Sequence, residues 1–306
     1  MTILISRRSM FIPVGGAQNS SASAAASGSA VVVTPAASLL SAPDRAVVAI
    51  SASDNGFQAA IAASYPGLQL DPTFQQIAPL ALLVTHQKGP AIRAHSVAWN
   101  ITTPTGQYTG AQFYYIHPGS PAKGGSLNTL RSAPRAILRA GQSRLVTPFF
   151  SWTPAYYQRN PKPDWGAILN SGTGGFLASQ LPAATQLNVS LDGVVFSDWK
   201  IAGPDQHNLN KRLRSRRNAE HDEALVAYRL LKADAPDSMV AETLEAHGSA
   251  ARSSQQKHPA YWYQQARRYQ AQILLQSFQN TDRTQFRKAI HRLVTQKKTV
   301  ITSMGA

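Results

Sequence analysis

Before about residue 204 the apolar and polar positions alternate with a period of two; beyond it they recur every three to four residues. The clearest alternation puts Leu187, Val189, Leu191 and Val195 on one parity, which predicts a half-buried strand. Leu80, Leu82 and Val84 predict another over Gln75 to Thr85, and Val97, Trp99 and Ile101 a third beyond the Gly89-Pro90 break. Thr103-Pro104-Thr105-Gly106 has turn chemistry, and Tyr108 to His117 follows with aromatics on both parities, leaving its buried face undecided. Gly141 then precedes a β-prone run from Ser143 to Phe150. Two turns compete near the end of the strand that begins at Leu187. Asp192-Gly193 is a hairpin signal, whereas Ser197-Asp198 leaves Val194-Val195-Phe196 in one uninterrupted strand, and the second is preferred. Pro154 to Ala184, with Gly172, Gly174 and Gly175, reads as a long irregular insertion.

Past Gly203-Pro204 the period suits helices. Asn208 to Lys232 is one, basic in its first half and carrying Leu225, Val226, Leu230 and Leu231 in its second. Pro236 stops it, and Asp237 or Ser238 can cap a short helix with Val240 and Leu244 on one face, ending at Gly248. After a polar linker from Ala250 to His258 and Pro259, a third helix spaces Trp262, Ala266, Tyr269 and Ile273 as a stripe. A fourth opens at Thr281-Asp282 with Phe286, Ile290 and Leu293 on one face. Such stripes imply burial against neighbours or a partner.

Charge sharpens the boundary. The 306 residues carry 30 Lys+Arg against 15 Asp+Glu, a formal +15. Residues 1 to 204 hold only six acids, all aspartates, whereas nine acids and every glutamate lie between Asp205 and Asp282. Glutamate is at home in helices and depleted in strands. The reading is therefore α+β by segregated regions: an antiparallel immunoglobulin-like sandwich over 46–204, with the insertion at 151–184, then a basic helical region over 205–306. Residues 1–45 read as a disordered Ser/Ala-rich leader, because Gln18 to Ala30 is almost wholly Ser, Ala, Gly and Asn and cannot bury enough surface to offset its ordering entropy. Ser6-Arg7-Arg8-Ser9-Met10-Phe11-Ile12 has the look of a twin-arginine export signal with small residues at 22–24 behind it. Pro13 and Gly15-Gly16 interrupt it, so a cytoplasmic protein is the expectation and export the alternative. Without cysteine, disulfides and thiolate sites are excluded. No apolar run approaches the ~18 residues that suggest a spanning helix.

The segment Leu187-Asn188-Val189-Ser190-Leu191-Asp192-Gly193-Val194-Val195-Phe196, continued to Gly203-Pro204-Asp205, resembles the closing segment of uncharacterised bacterial proteins with an immunoglobulin-like sandwich and a helical tail. The resemblance covers about residues 187–205 and the order of elements. It implies architecture and no site residue.

The densest cationic run is Lys211, Arg212, Arg214, Arg216 and Arg217, which a helix distributes around most of its circumference. Together with Arg267 and Arg268, which lie among Tyr261, Trp262, Tyr263 and Tyr269, these are the candidate contacts to nucleic acid or an anionic membrane surface. A solvated helix docked through Leu209 and Leu213 alone explains the run equally well. Gly172-Thr173-Gly174-Gly175 has no lysine after it and reads as a flexible loop rather than a phosphate loop. His86 and His95 would approach each other if their strands pair, but a metal wants a third ligand. Asp164, Asp192, Asp198 and Asp205 would have to converge to serve a hydrolase, and Asp198 and Asp205 look like turn and capping residues. The expected protein is non-catalytic, without cofactor or metal, and serves protein–protein interaction or structural support. Polyanion binding is the first alternative and an aspartate hydrolase the last.

Overall fold

The computed structural model describes residues 10–12, 32–34, 38–42, 45–115, 137–169, 173–250, 260–295 and 302–303. In chain order the strands and helices are β1 (Met10–Ile12), β2 (Val32–Thr34), β3 (Ser38–Ala42), β4 (Arg45–Ser51), α1 (Phe57–Ser64), α2 (Pro72–Ile77), β5 (Leu82–Lys88), β6 (Ile92–Thr103), β7 (Gly106–Tyr115), β8 (Gln142–Val146) and β9 (Ser151–Trp152). Then follow α3 (Pro154–Arg159), α4 (Trp165–Leu169), α5 (Thr173–Gln180), β10 (Gln186–Phe196), β11 (Lys200–Ala202), α6 (Leu209–Lys232), α7 (Asp237–Ser249), α8 (Tyr261–Gln279), α9 (Arg283–Thr295) and β12 (Thr302–Ser303). The fold is α+β: two sheets in the first region and a helical second region.

One sheet runs β1-β7-β6-β10-β11-β12 with β2 beside β10; the other runs β3-β4-β5-β8-β9. Pairing is antiparallel except for β2 with β10 and β11 with β12. A single core joins the two sheets, built on Val47, Leu83, Trp99, Leu145, Leu187 and Val189, with Phe57 and Phe74 from α1 and α2. Burying side chains of this size contributes about 1.5–3 kcal/mol each. Trp99 is buried in this core, and its indole N–H donates to the Leu80 carbonyl at 2.8 Å. A separate core lies inside the helical region, where Leu231, Val240, Leu244, Leu274, Phe286 and Ile290 meet.

Several expectations change. The strand read over Gln75 to Thr85 begins only at Leu82, because Asp71 accepts from the N–H groups of Thr73 and Phe74 and starts α2 instead. The β5 and β6 strands do not pair; Gly89-Pro90 carries the chain from one sheet to the other, so His86 and His95 are not cross-strand neighbours. The insertion at 151–184 is not irregular: β9 and α3 to α5 fill most of it, with Thr153 capping α3 through the Tyr156 N–H. Thr173 to Gly175 open α5 rather than a loop, and Gly172 lies outside the described residues. The α7 helix has Pro236 at its N-cap, with Asp237 in the first turn.

Within 1–45, three short stretches are strands, and β3 pairs along its whole length with β4, so the sheet extends before residue 46. The remainder of that leader, with the Arg7-Arg8 pair, lies outside the described residues, as do residues 251–259 of the linker.

The course of β10 settles the competing turns. Strand β10 continues to Phe196, and Ser197 to Trp199 turn the chain into β11. Asp192-Gly193 is instead a β-bulge, where the register with β6 shifts between Leu191 and Gly193. The extra residue inverts the parity. Val194 and Phe196 thereby join Leu187, Val189 and Leu191 in the main core, and Val195, predicted to share their face, turns to the other side.

Candidate functional site: the joint between basic helix and sheet

Val195 now faces the helical region. With Ala94, Ala111, Phe113 and Ile201 it forms an apolar patch on the outer side of the first sheet, closed by Leu209 and Leu213 of α6. Those two leucines are the docking residues the helical spacing indicated.

The approach of α6 is set by the bulge. The Asp192 carboxylate, buried at 2% exposure, accepts from Ser96 Oγ at 3.1 Å, Gln206 N–H at 2.8 Å and His207 N–H at 3.2 Å. His207 Nδ1 lies 3.4 Å from Asp192 Oδ2, an ion-pair distance rather than a hydrogen bond. The Asp192 carbonyl accepts from Asp205 N–H at 2.8 Å. Asp205 in turn accepts from Leu209 N–H at 2.5 Å and Asn210 N–H at 3.2 Å, satisfying first-turn donors that the Asn208 N-cap does not reach. Burial would raise the Asp192 pKa, yet the adjoining His207 and the Ser96 hydroxyl hold it below the usual carboxylate value. Asp205 sits above its usual value, raised by burial and by the Asp192 charge against the lowering effect of the Asn210 and Leu209 N–H groups and Arg212.

Gly203 makes the close approach feasible. Its φ is +101°, and a Cβ there would stand 2.8 Å from the Asp192 carbonyl oxygen. Gly203→Ala is therefore expected to cost about 2 kcal/mol or more, read as a lower urea midpoint at unchanged slope.

The predicted anion contacts turn inward to a degree not foreseen. The Arg212 guanidinium carbon stands 3.6 Å from the Phe113 ring centroid and 3.7 Å from that of Trp262, sandwiched between sheet and α8. Arg217 and Arg93 approach the Trp199 ring at 4.5 and 4.7 Å. Arg216 lies 5.5 Å from Tyr269. Trp262 and Tyr269 are thus only partly buried and covered by arginine, instead of forming the apolar stripe read for them. Lys211 and Arg214 face outward and are exposed. The helix is docked through leucines and arginines together, not through Leu209 and Leu213 alone.

Arg267 binds Glu223, which is wholly buried on α6; His247 Nδ1 of α7 lies 2.8 Å from the other Glu223 oxygen. One turn boundary away, Tyr263 donates to Asp222 at 2.6 Å, and burial with that carboxylate pushes the phenol up to about 12. Arg268 is partly exposed beside this knot. Of the aspartates considered for hydrolysis, Asp192 and Asp205 hold backbone N–H groups, while Asp164 and Asp198 lie exposed, accepting from Ala167 and Lys200 N–H. Among the described residues no group of three His, Asp or Glu is placed to hold a metal. No described helix is long and apolar enough to cross a membrane.

Sequence reading missed the basic face of α9, where Arg287, Lys288 and Arg292 are all exposed. The signal was available in the absence of any acid after Asp282. No family model, curated protein or solved structure matches the chain.

Proposed function

We propose that this is a non-catalytic protein serving protein–protein interaction or structural support, with its helical region fixed to an immunoglobulin-like sandwich. The observation that carries this is the joint itself. Three arginines of the basic helix are committed to aromatic faces of the same chain, so the helix that looked outward-facing serves internal assembly. Two antiparallel sheets sharing a tryptophan-centred core support the immunoglobulin-like reading. The partner surface on this reading lies around α3, where Tyr156 is exposed against Trp152, and where Leu70, 73% exposed, projects near the Asp71–Trp165 hydrogen bond. A photo-crosslinking residue at position 70 or 156 should yield a discrete protein adduct, lost when Leu70 or Tyr156 is replaced by aspartate at the neighbouring probe site. Turnover of a substrate, or no adduct from either position, contradicts the reading.

A second reading is favoured by α9. Contact with nucleic acid or an anionic membrane surface would use Arg287, Lys288 and Arg292, with Lys211 and Arg214, rather than the stacked Arg212, Arg216 and Arg217. On that reading duplex DNA binds with an affinity that falls steeply with salt, and replacing Arg287, Lys288 and Arg292 by glutamine reduces the log–log slope by about three. Fluorescence anisotropy over a salt series measures it, and an unchanged slope rejects it. The aspartate hydrolase reading has no comparable support, since Asp192 and Asp205 are spent on the joint.

A further inference from the structure

The core between the sheets is largely apolar, but besides the isolated His86 it holds one cluster of polar side chains. His95 on β6, Gln112 on β7 and Arg144 on β8 are all buried there. His95 pairs with Tyr114 in the β6–β7 register, and Gln112, two residues before Tyr114, shares its side of the sheet. The His95 and Tyr114 rings stack with centroids 4.9 Å apart. Arg144 comes from the opposite sheet, paired with Val84, and lies close to His95, Tyr114 and Tyr65; burial, and after it the Arg144 charge, push the His95 pKa down to about 3, so the ring is neutral.

The hydrogen bonding of this cluster is lopsided. The acceptors are engaged: the Tyr114 hydroxyl lies on Gln112 Oε1 and 3.2 Å from the Thr147 carbonyl, and the Tyr65 hydroxyl accepts from Leu145 N–H and donates to the Trp152 carbonyl. Arg144 donates to Ser151 Oγ at 3.0 Å through one terminal nitrogen. Its Nε–H, the Gln112 NH2 group and both ring nitrogens of His95 have no hydrogen-bond partner among the described residues. Nor does any carboxylate among those residues form an ion pair with Arg144. A guanidinium keeps its charge in proteins, and a buried charge without a counter-charge is costly. The neutral His95 ring offers one N–H and one acceptor nitrogen, so the unpartnered guanidinium, amide and imidazole N–H groups still outnumber the acceptor left to them, and the excess complements an acceptor-only, negatively charged ligand.

We propose that Arg144, Gln112 and His95 form a buried site between the sheets for a small monovalent anion of the halide or formate class. The ion neutralises Arg144 and takes the N–H groups that the protein leaves over. It acts as a resident structural ligand, so stability rises with its concentration by mass action.

The full chain is melted in a bromide titration at constant ionic strength, balanced by a bulky organic sulfonate. A saturable rise in Tm is expected, with an anomalous bromide peak beside Arg144 Nε in crystals of the same protein. Gln112→Leu, which removes one donor, should shift the titration midpoint about tenfold upward. Arg144→Met, which needs no counter-ion, should melt independently of bromide. If Arg144→Met does not fold, Gln112→Leu and the anomalous map decide. A Tm without saturable bromide dependence, a dependence retained in full by Arg144→Met or Gln112→Leu, or no bromide at Arg144 overturns the proposal. A peak there with no effect on melting marks an adventitious ion only and overturns it equally.

Discussion

Glu223→Ala should destabilise the helical region by about 3–5 kcal/mol, the range for removing one partner of a buried ion pair. The Glu223 side chain has no exposure and lies between Arg267 of α8 and His247 of α7, so one carboxylate joins three helices. Without it Arg267 loses the charge that raises its pKa against the lowering effect of burial, and the packed helices enclose a void. Arg267 retains 37% exposure, however, and water screens what remains of its charge, so the lower end of the range is expected. Glu223→Gln keeps the shape and should cost less. Urea unfolding followed by helical ellipticity measures both. A loss under about 1 kcal/mol for alanine would mean that the apolar core of Leu231, Leu244, Leu274 and Phe286 holds the helices without this knot.

Such a knot illustrates what a linear reading reaches. The length of α6, the stripe of α9 and the burial of Trp99 follow from periods and caps within a few residues, and these were legible. Where two local signals competed, the stronger physical term won. Over Gln75 to Thr85 the two-residue spacing of Leu80, Leu82 and Val84 suggested one strand, but the Asp71 cap and Pro72 at the first helical position satisfy backbone groups at once and start a helix ahead of it. At Asp192-Gly193 turn chemistry announced a break in the ladder without saying which kind. A bulge satisfies the same residues as a hairpin, and only pairing with β6 reveals that Val195 changes face. The joint was the least legible part. The rings that receive Arg212 come from β7 and α8, and Trp199 receives Arg93 and Arg217 from either side in sequence. A helical wheel spreads these charges correctly around α6 but carries nothing about what stands opposite them. Counting them as candidate anion contacts followed from the density of the run and its helical spread alone.

Asp192→Ala is expected to have the most widespread effect, because it removes the buried acceptor on which the whole joint is threaded. Ser96 Oγ, Gln206 N–H and His207 N–H would each lose their partner, at about 1–3 kcal/mol for every donor left buried and unsatisfied. Partial exposure of Gln206 and His207 lets water take up two of them, so about 3 kcal/mol in all is expected. Acid should reveal the same carboxylate. The folded-state pKa of Asp192 is depressed, so its stabilisation is complete above the ordinary carboxylate value and is lost as pH falls through the lower folded one. Asp205 has the opposite sign: with its pKa raised, its contribution is most favourable below the ordinary value and is lost as pH rises through the folded one. Carboxyl carbon NMR should therefore find Asp192 titrating below Asp205, and in Asp192→Asn the Asp205 value should fall, because the neighbouring negative charge that helps raise it is gone. An Asp205 titration indifferent to Asp192→Asn would show that burial alone sets it. The loosened variant also tests the role given to the arginines. If α6 lifts from the sheet, Arg212 and Arg217 leave Phe113 and Trp199, and Asp192→Ala should elute from a heparin column at higher salt than the wild type. Unchanged elution from a variant of reduced stability would mean that the stacking outlasts the carboxylate, and that leucine packing and arginine–aromatic contact, not Asp192, hold the two regions together.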